Sequence, residues 1–172
     1  MEELKMELYQ IRNRINVNKH LWQHIFSTNC YAFALGLDVR ENDIGEYVYQ
    51  PGILGTSSDS VAYHEEFEYE LLLANIYDDL KFLGISFEDA NPNDAITLDS
   101  WKIALMVSQI EDDMLYDYHF LRQLPNGIWY HKTGWYQPPT KLDSHFHVIK
   151  DPQNCYLKGR IYRKCLRLKL DE

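Results

Sequence analysis

The stretch DYHFLRQLPNGIWYHK, residues 117 to 132, limits the possible folds of this chain more than any other part of it. Two runs of aromatic and aliphatic residues flank Pro125-Asn126-Gly127. An Asn-Gly pair between such runs signals a β-hairpin, because both residues tolerate the positive φ that a tight reversal demands. Just upstream, WKIALMVSQI (101–110) is a nearly continuous apolar run, which suits a strand covered on both faces. Near the end of the chain, KGRIYRKCLRLKL alternates Arg167 and Lys169 with Leu166, Leu168 and Leu170, as a strand with one buried and one charged face does. An antiparallel sheet in the C-terminal half is therefore expected.

The N-terminal half is patterned differently. Leu4, Leu8, Ile11 and Ile15 recur at helical spacing over residues 2–15, with acidic residues in the first turn. In STNCYAFALG (27–36), Ser27, Thr28 or Asn29 supplies an N-cap, CYAFAL the first turns of a helix that begins at Cys30, and Gly36 its end. Residues 42–60 read as a long loop, residues 61–83 as one helix with an acidic face closed by Gly84, and FEDANPNDA (87–95) as turns. Helices first and an antiparallel sheet after them define an α+β class. At 172 residues the chain is expected to be a single domain, residues 1–172, with the acidic helical segment at about 61–83 as an insert.

Charge and cysteine content exclude several roles. Residues 1–120 carry 7 basic against 22 acidic side chains, and residues 121–172 carry 10 against 4. An acidic body repels phosphate, so nucleic acid is not an expected partner. No window approaches the roughly 20 apolar residues of a membrane span, and MEELKMELYQIRNRI is charged where a secretory leader would be apolar, so no membrane association and a cytoplasmic location are expected. In such a compartment three cysteines do not suggest a disulfide framework, and Cys155 and Cys165 read as small buried residues. With no glycine-rich phosphate loop or dinucleotide fingerprint, no cofactor is expected.

Cys30 stands apart because of its position. Unpaired N–H groups at a helix start favour a thiolate, the form in which cysteine attacks carbonyl carbon. Such chemistry also needs a base and a group that fixes the base's tautomer. His119 and His131 lie on opposite arms of the hairpin and are brought close if the arms pair across Asn126-Gly127, with the loop length deciding whether they share a face. Asp117, two residues before His119 on the same strand face, is an alternative orienting group. The Cys30 backbone N–H, helped by Asn29 or a nearby tyrosine, is the candidate oxyanion donor.

A cysteine opening a helix, followed by a sheet with histidine on one strand and a polar residue on the next, resembles the papain-like cysteine hydrolases, and within them the NlpC/P60 and CHAP group. The spacing from His119 to His131 matches the two-histidine hairpin of NlpC/P60 proteins, and NCYAFAL is similar to the helix start of papain. The likeness covers residues 27–36 and 101–135. It departs from the usual Asp-Cys-Ser-Gly nucleophile motif, since Asn29-Cys30-Tyr31-Ala32 stands in its place. The resemblance implies a papain-like fold and a peptidase or amidase that cleaves a peptide or other amide through a thioester. Cys30 would be the nucleophile, His119 the base and His131 the orienting residue.

Two other readings compete. The same scaffold without chemistry would be a binding or regulatory module with a protein partner, of toxin, immunity or phage-related type. A zinc-dependent hydrolase would draw on His20 and His24, spaced i, i+4, and on His145 and His147, spaced i, i+2 on one strand face.

Overall fold

The structure is a computed structural model that describes residues 29–37, 50–55, 59–111, 113–133 and 137–171. The helix expected over 2–15, together with His20 and His24, lies outside the described residues. In chain order the elements are helix α1 (Cys30–Leu35), a 3-10 turn (Val61–Tyr63), strand β1 (Phe67–Glu68), helix α2 (Tyr69–Leu83) and strands β2 (Ile85–Asp89), β3 (Ser100–Gln109), β4 (Met114–Gln123), β5 (Trp129–His131) and β6 (Ile161–Leu170). The class is α+β.

The strands form one antiparallel sheet in the order β1-β4-β3-β6-β2, with β5 also pairing with β4. β3 is central, and all of its residues except Gln109 are buried. Its two faces look into two apolar clusters. Ile103, Leu105 and Val107 meet α1, α2, Phe120 and Leu168, whereas Ala104 and Met106 meet Leu121, Trp129, Ile149, Leu157 and Cys165. Cover on both sides explains why this strand reads as an unbroken apolar run rather than an alternation.

α1 ends as its sequence predicts. Gly36 takes φ 76°, its N–H reaches Phe33 O at 3.2 Å, and the Leu37 N–H reaches Ala32 O at 3.0 Å, which together cap the helix in Schellman fashion. The next carbonyls are taken from the sheet. Trp101 Nε1 donates to Ala34 O at 3.0 Å, and Arg122, stacked over Trp101, reaches Phe33 O. With Tyr31, Ala32, Ala34 and Leu35 fully buried, the helix is held tightly against β4.

Three expectations change. The helix expected from residue 61 starts at Tyr69, because the Asn75 side chain accepts the Val61 N–H at 2.9 Å and donates to Asp59 O at 2.8 Å, pinning residues 59–61 as a turn, while Phe67–Glu68 pairs with β4. The expected turns at FEDANPNDA begin only after a strand, since β2 carries Phe87, Glu88 and Asp89 alongside Leu168, Arg167 and Leu166 of β6. The second hairpin arm is shorter than GIWYHKTGW and stops at His131. The reversal itself matches expectation: the Gly127 N–H closes on Leu124 O at 2.9 Å, with Gly127 at φ 79°.

Candidate active site

β1 and β5 join the same edge of β4 at its two ends, at Met114–Leu115 and at residues 121–123. Between them, residues 116–120 of β4 have no strand on that side among the described residues. The start of α1 sits at this gap. There a cleft of about 410 Å³ is lined by Asn29, Cys30, Asp117, His119, Lys132 and Arg160, with Val61, Phe67 and Tyr118 as its apolar wall.

The two hairpin histidines meet. Leu121 stands opposite His131 in the ladder, so His119 lies diagonally from His131 on the same face. His119 Nε2 is 2.8 Å from His131 Nδ1, and the rings stand edge to face at 88°. His131 Nε2 is 2.9 Å from Leu142 O. A carbonyl only accepts, so His131 Nε2 carries the proton there. In neutral His131 the other nitrogen, Nδ1, must then accept from His119 Nε2–H. One backbone carbonyl thus fixes both tautomers and leaves His119 Nδ1 as the basic atom of its ring.

Burial dominates the electrostatics. Both imidazoles titrate below the usual histidine range, His119 far below it, first because burial disfavours their charged forms. The Cys30 thiol is pushed up to about 11, again mainly by burial, with hydrogen bonds from the Phe120 and Tyr31 backbone offsetting part of this. Here the sequence expectation is reversed. A helix of six residues has a weak dipole, and desolvation outweighs it. At neutral pH the pair is thiol plus imidazole, both uncharged, and among the described residues no hydrogen bond joins the Cys30 sulfur to His119.

The other expected participants are placed as follows. Asp117 lines the cleft but is engaged elsewhere: its Oδ2 takes Arg160 Nη2 at 2.6 Å and Nε at 3.1 Å. Asn29 caps α1, its Oδ1 accepting the Ala32 N–H at 2.9 Å, so its carboxamide is fixed at the cleft wall. Tyr31 is turned into the core, where its hydroxyl donates to Asp79 at 2.9 Å, which removes it as an oxyanion donor. Tyr118 lies in the cleft wall. Cys165 is buried as expected, and half-buried Cys155 contacts Pro152 O at 3.4 Å.

His145 and His147 do not form a strand face. They lie on an exposed reversal in which Asp143 Oδ1 accepts both of their backbone N–H groups at 2.9 Å and Phe146 takes φ 63°. Among the described residues no group of three or more His, Cys, Asp and Glu side chains is arranged to hold a metal ion.

Three cleft residues went unrecognised in the sequence. Lys132 follows His131 and is 1% exposed, Arg160 precedes β6, and His64 stands at the rim bonded to Asp59 at 2.6 Å. They come from three distant segments, so no local spacing marks them. Lys132 alone carried a signal, a lysine directly after a strand histidine, and that signal is weak. Among the described residues no helix is long and apolar enough to cross a membrane. No family model, curated protein or solved structure matches this chain.

Proposed function

We propose that this protein is a cysteine-dependent hydrolase of peptide or other amide bonds, with Cys30 as nucleophile, His119 as general base and His131 as the orienting residue. The observation that carries the reading is the chain of bonds from Leu142 O through His131 to His119 in the cleft that Cys30 lines. A nucleophile needs a base of defined tautomer, and this chain of bonds supplies one. The papain-like resemblance of the sequence agrees with the same roles.

The chemistry follows from the resting charges. Because thiol and imidazole are both neutral, the thiol proton passes to His119 Nδ1 as the sulfur bonds to the substrate carbonyl carbon. The oxyanion that forms lies near the Cys30 backbone N–H and the Asn29 carboxamide. Collapse breaks the C–N bond, and His119 returns the proton to the leaving amine. Water, deprotonated by His119, then attacks the thioester, releasing a carboxylic acid and the thiol. His131 holds the imidazolium in place at each proton transfer, its neutral Nδ1 accepting the Nε2 proton throughout. The Asp117–Arg160 pair favours His131 over Asp117 as orienting group, since that carboxylate already has a cation.

A library of internally quenched fluorescent peptides tests the reading. Cys30→Ala and His119→Ala should each lower kcat/KM by at least about 10³-fold with the fold retained by circular dichroism, and His131→Ala by about 10²-fold. Asp117→Ala should cost less than His131→Ala. Full biological effect in a folded Cys30→Ala protein would instead establish the binding-module reading, which the raised thiol pKa and the missing Cys30–His119 bond favour.

A further inference from the structure

The Asp117–Arg160 pair lies in the cleft beside Cys30 and His119 and takes no part in the proposed mechanism. Its side chains are 41% and 30% exposed, and pairs as open as this contribute little to stability. Arg160 is nonetheless held at three points. Its backbone N–H closes a tight turn on Leu157 O at 2.9 Å, with Gly159 at φ 73°, and Ser108 Oγ of β3 fixes that turn through Gly159 O at 2.8 Å. Its guanidinium is set by Asp117, whose Oδ2 takes Nη2 at 2.6 Å and Nε at 3.1 Å. This contact uses the side edge of the fork. The end edge, formed by Nη1 and the second Nη2 proton, donates to none of the described residues. Asp117 stands two residues before His119 on β4, so the fork is anchored to the strand face that carries the base.

We propose that Arg160, clamped by Asp117, selects the substrate by holding a carboxylate at its Nη1–Nη2 edge, so that the cleft takes peptides with an acidic side chain close to the bond that Cys30 attacks. What is cleaved rests on the hydrolase reading, whereas the anion site is measurable by binding alone. Arginine stays charged at any working pH, its fork matches a carboxylate in two parallel bonds, and one already fixed loses little side-chain freedom on binding. The sign of the ligand follows from the surroundings. Asp117 already has its charge met by two bonds on Oδ2, and a cation bound to it would lie beside the guanidinium. Among the described residues that line the cleft, Asp117 is the one carboxylate, against Arg160 and Lys132.

The test is the binding of dye-labelled, end-capped tetrapeptides to the whole protein, followed by fluorescence anisotropy, with each position in turn made Glu, Gln or Lys. At low salt the best Glu peptide should bind about tenfold more tightly than its Gln counterpart, and about 0.5 M salt should shrink that margin. Arg160→Gln should abolish the margin by weakening the Glu peptide alone, whereas a merely structural role would weaken both peptides alike. Arg160→Lys, which keeps the charge without the planar fork, should reduce the margin to about threefold. Should Arg160→Gln fail to fold, an unchanged margin in Arg160→Lys still overturns the proposal. So does the absence of a margin in the unaltered protein, a margin that survives Arg160→Gln, or a Lys peptide that binds best, which would make Asp117 the recognising group. Cleavage is read separately on the same peptides. A margin without hydrolysis of any peptide overturns the hydrolase reading and leaves the anion site standing; hydrolysis without a margin does the reverse.

Discussion

Charged side chains do opposite things in two parts of this molecule. Along the β6–β2 edge they are paired with exposed carboxylates: Arg167 with Glu88 at 2.8 Å, Lys164 with Asp89 at 2.7 Å, and Lys169 of β6 with Asp99 at 2.7 Å. Around α1 and its cleft, Asp79, Arg122 and Lys132 are buried. Asp79, fully buried on α2, accepts Tyr31 Oη at 2.9 Å, Gly52 N–H at 2.8 Å and Gly55 N–H at 2.7 Å, tying the 50–55 segment to α1 and α2. In the first region, pairs whose carboxylates are this exposed are expected to contribute little to stability. The second shows how strongly burial changes a group's titration, and hence what chemistry is open to it.

The largest expected break in that contrast is Asp79→Ala. It strands one hydroxyl and two backbone donors in the core, and unfolding in urea should show a loss of about 3–5 kcal/mol. A loss below about 1 kcal/mol would mean that water replaces the carboxylate and that the site is not dry. Gly52 belongs to the same joint. It takes φ 92°, and a Cβ there would come within 2.5 Å of Asn75 Oδ1, so its close approach to α2 needs glycine.

Next in size is a pH effect. Burial raises the Asp79 carboxyl from 3.8 to about 6, ahead of the opposing bonds from Gly52, Gly55 and Tyr31. Its contribution to stability is therefore full below pH 3.8 and lost as pH rises through 6, about 2–3 kcal/mol in all. His119 and His131 act with the opposite sign: their lowered titration costs stability as pH falls below 6.5. The Asp79 share is thus read as the difference between unaltered protein and Asp79→Ala, which should narrow as pH rises from about 4 to about 6 and change little above that. A constant difference would refute the assignment.

The smallest effect belongs to the exposed edge. Arg167→Ala should cost no more than about 1 kcal/mol, and part of that should vanish in 1 M salt. A larger, salt-insensitive loss would show that the packing of the arginine stem over the sheet matters more than its charge.

How much of this was readable in advance depended on the range of the interactions involved. α1 was legible because its cap, its apolar run and its closing glycine all lie within eight residues, Asn29 to Gly36. The β4–β5 reversal was legible for the same reason, and with it the meeting of His119 and His131. β2 was not, because its Phe87, Glu88 and Asp89 run into the turn-rich FEDANPNDA and become strand only by pairing with β6, more than 75 residues away. The split of residues 61–83 followed from Asn75, whose role depends on a loop it meets only in the folded chain. His145 and His147 were misplaced because alternation alone does not distinguish a strand from a turn pinned by one aspartate.

The sequence by itself determined the α+β class, the antiparallel hairpin, the start of α1 at Cys30 and the candidate pairing of two histidines. These rest on backbone preference and on contacts between near neighbours. Only the tertiary structure decided the direction in which Cys30 titrates, the engagement of Asp117 by Arg160 and the arrival of Lys132 in the cleft that Cys30 lines. Each of these is set by how much water remains around a group and by which distant charges replace it, and both depend on the completed packing of α1 against the gap in β4.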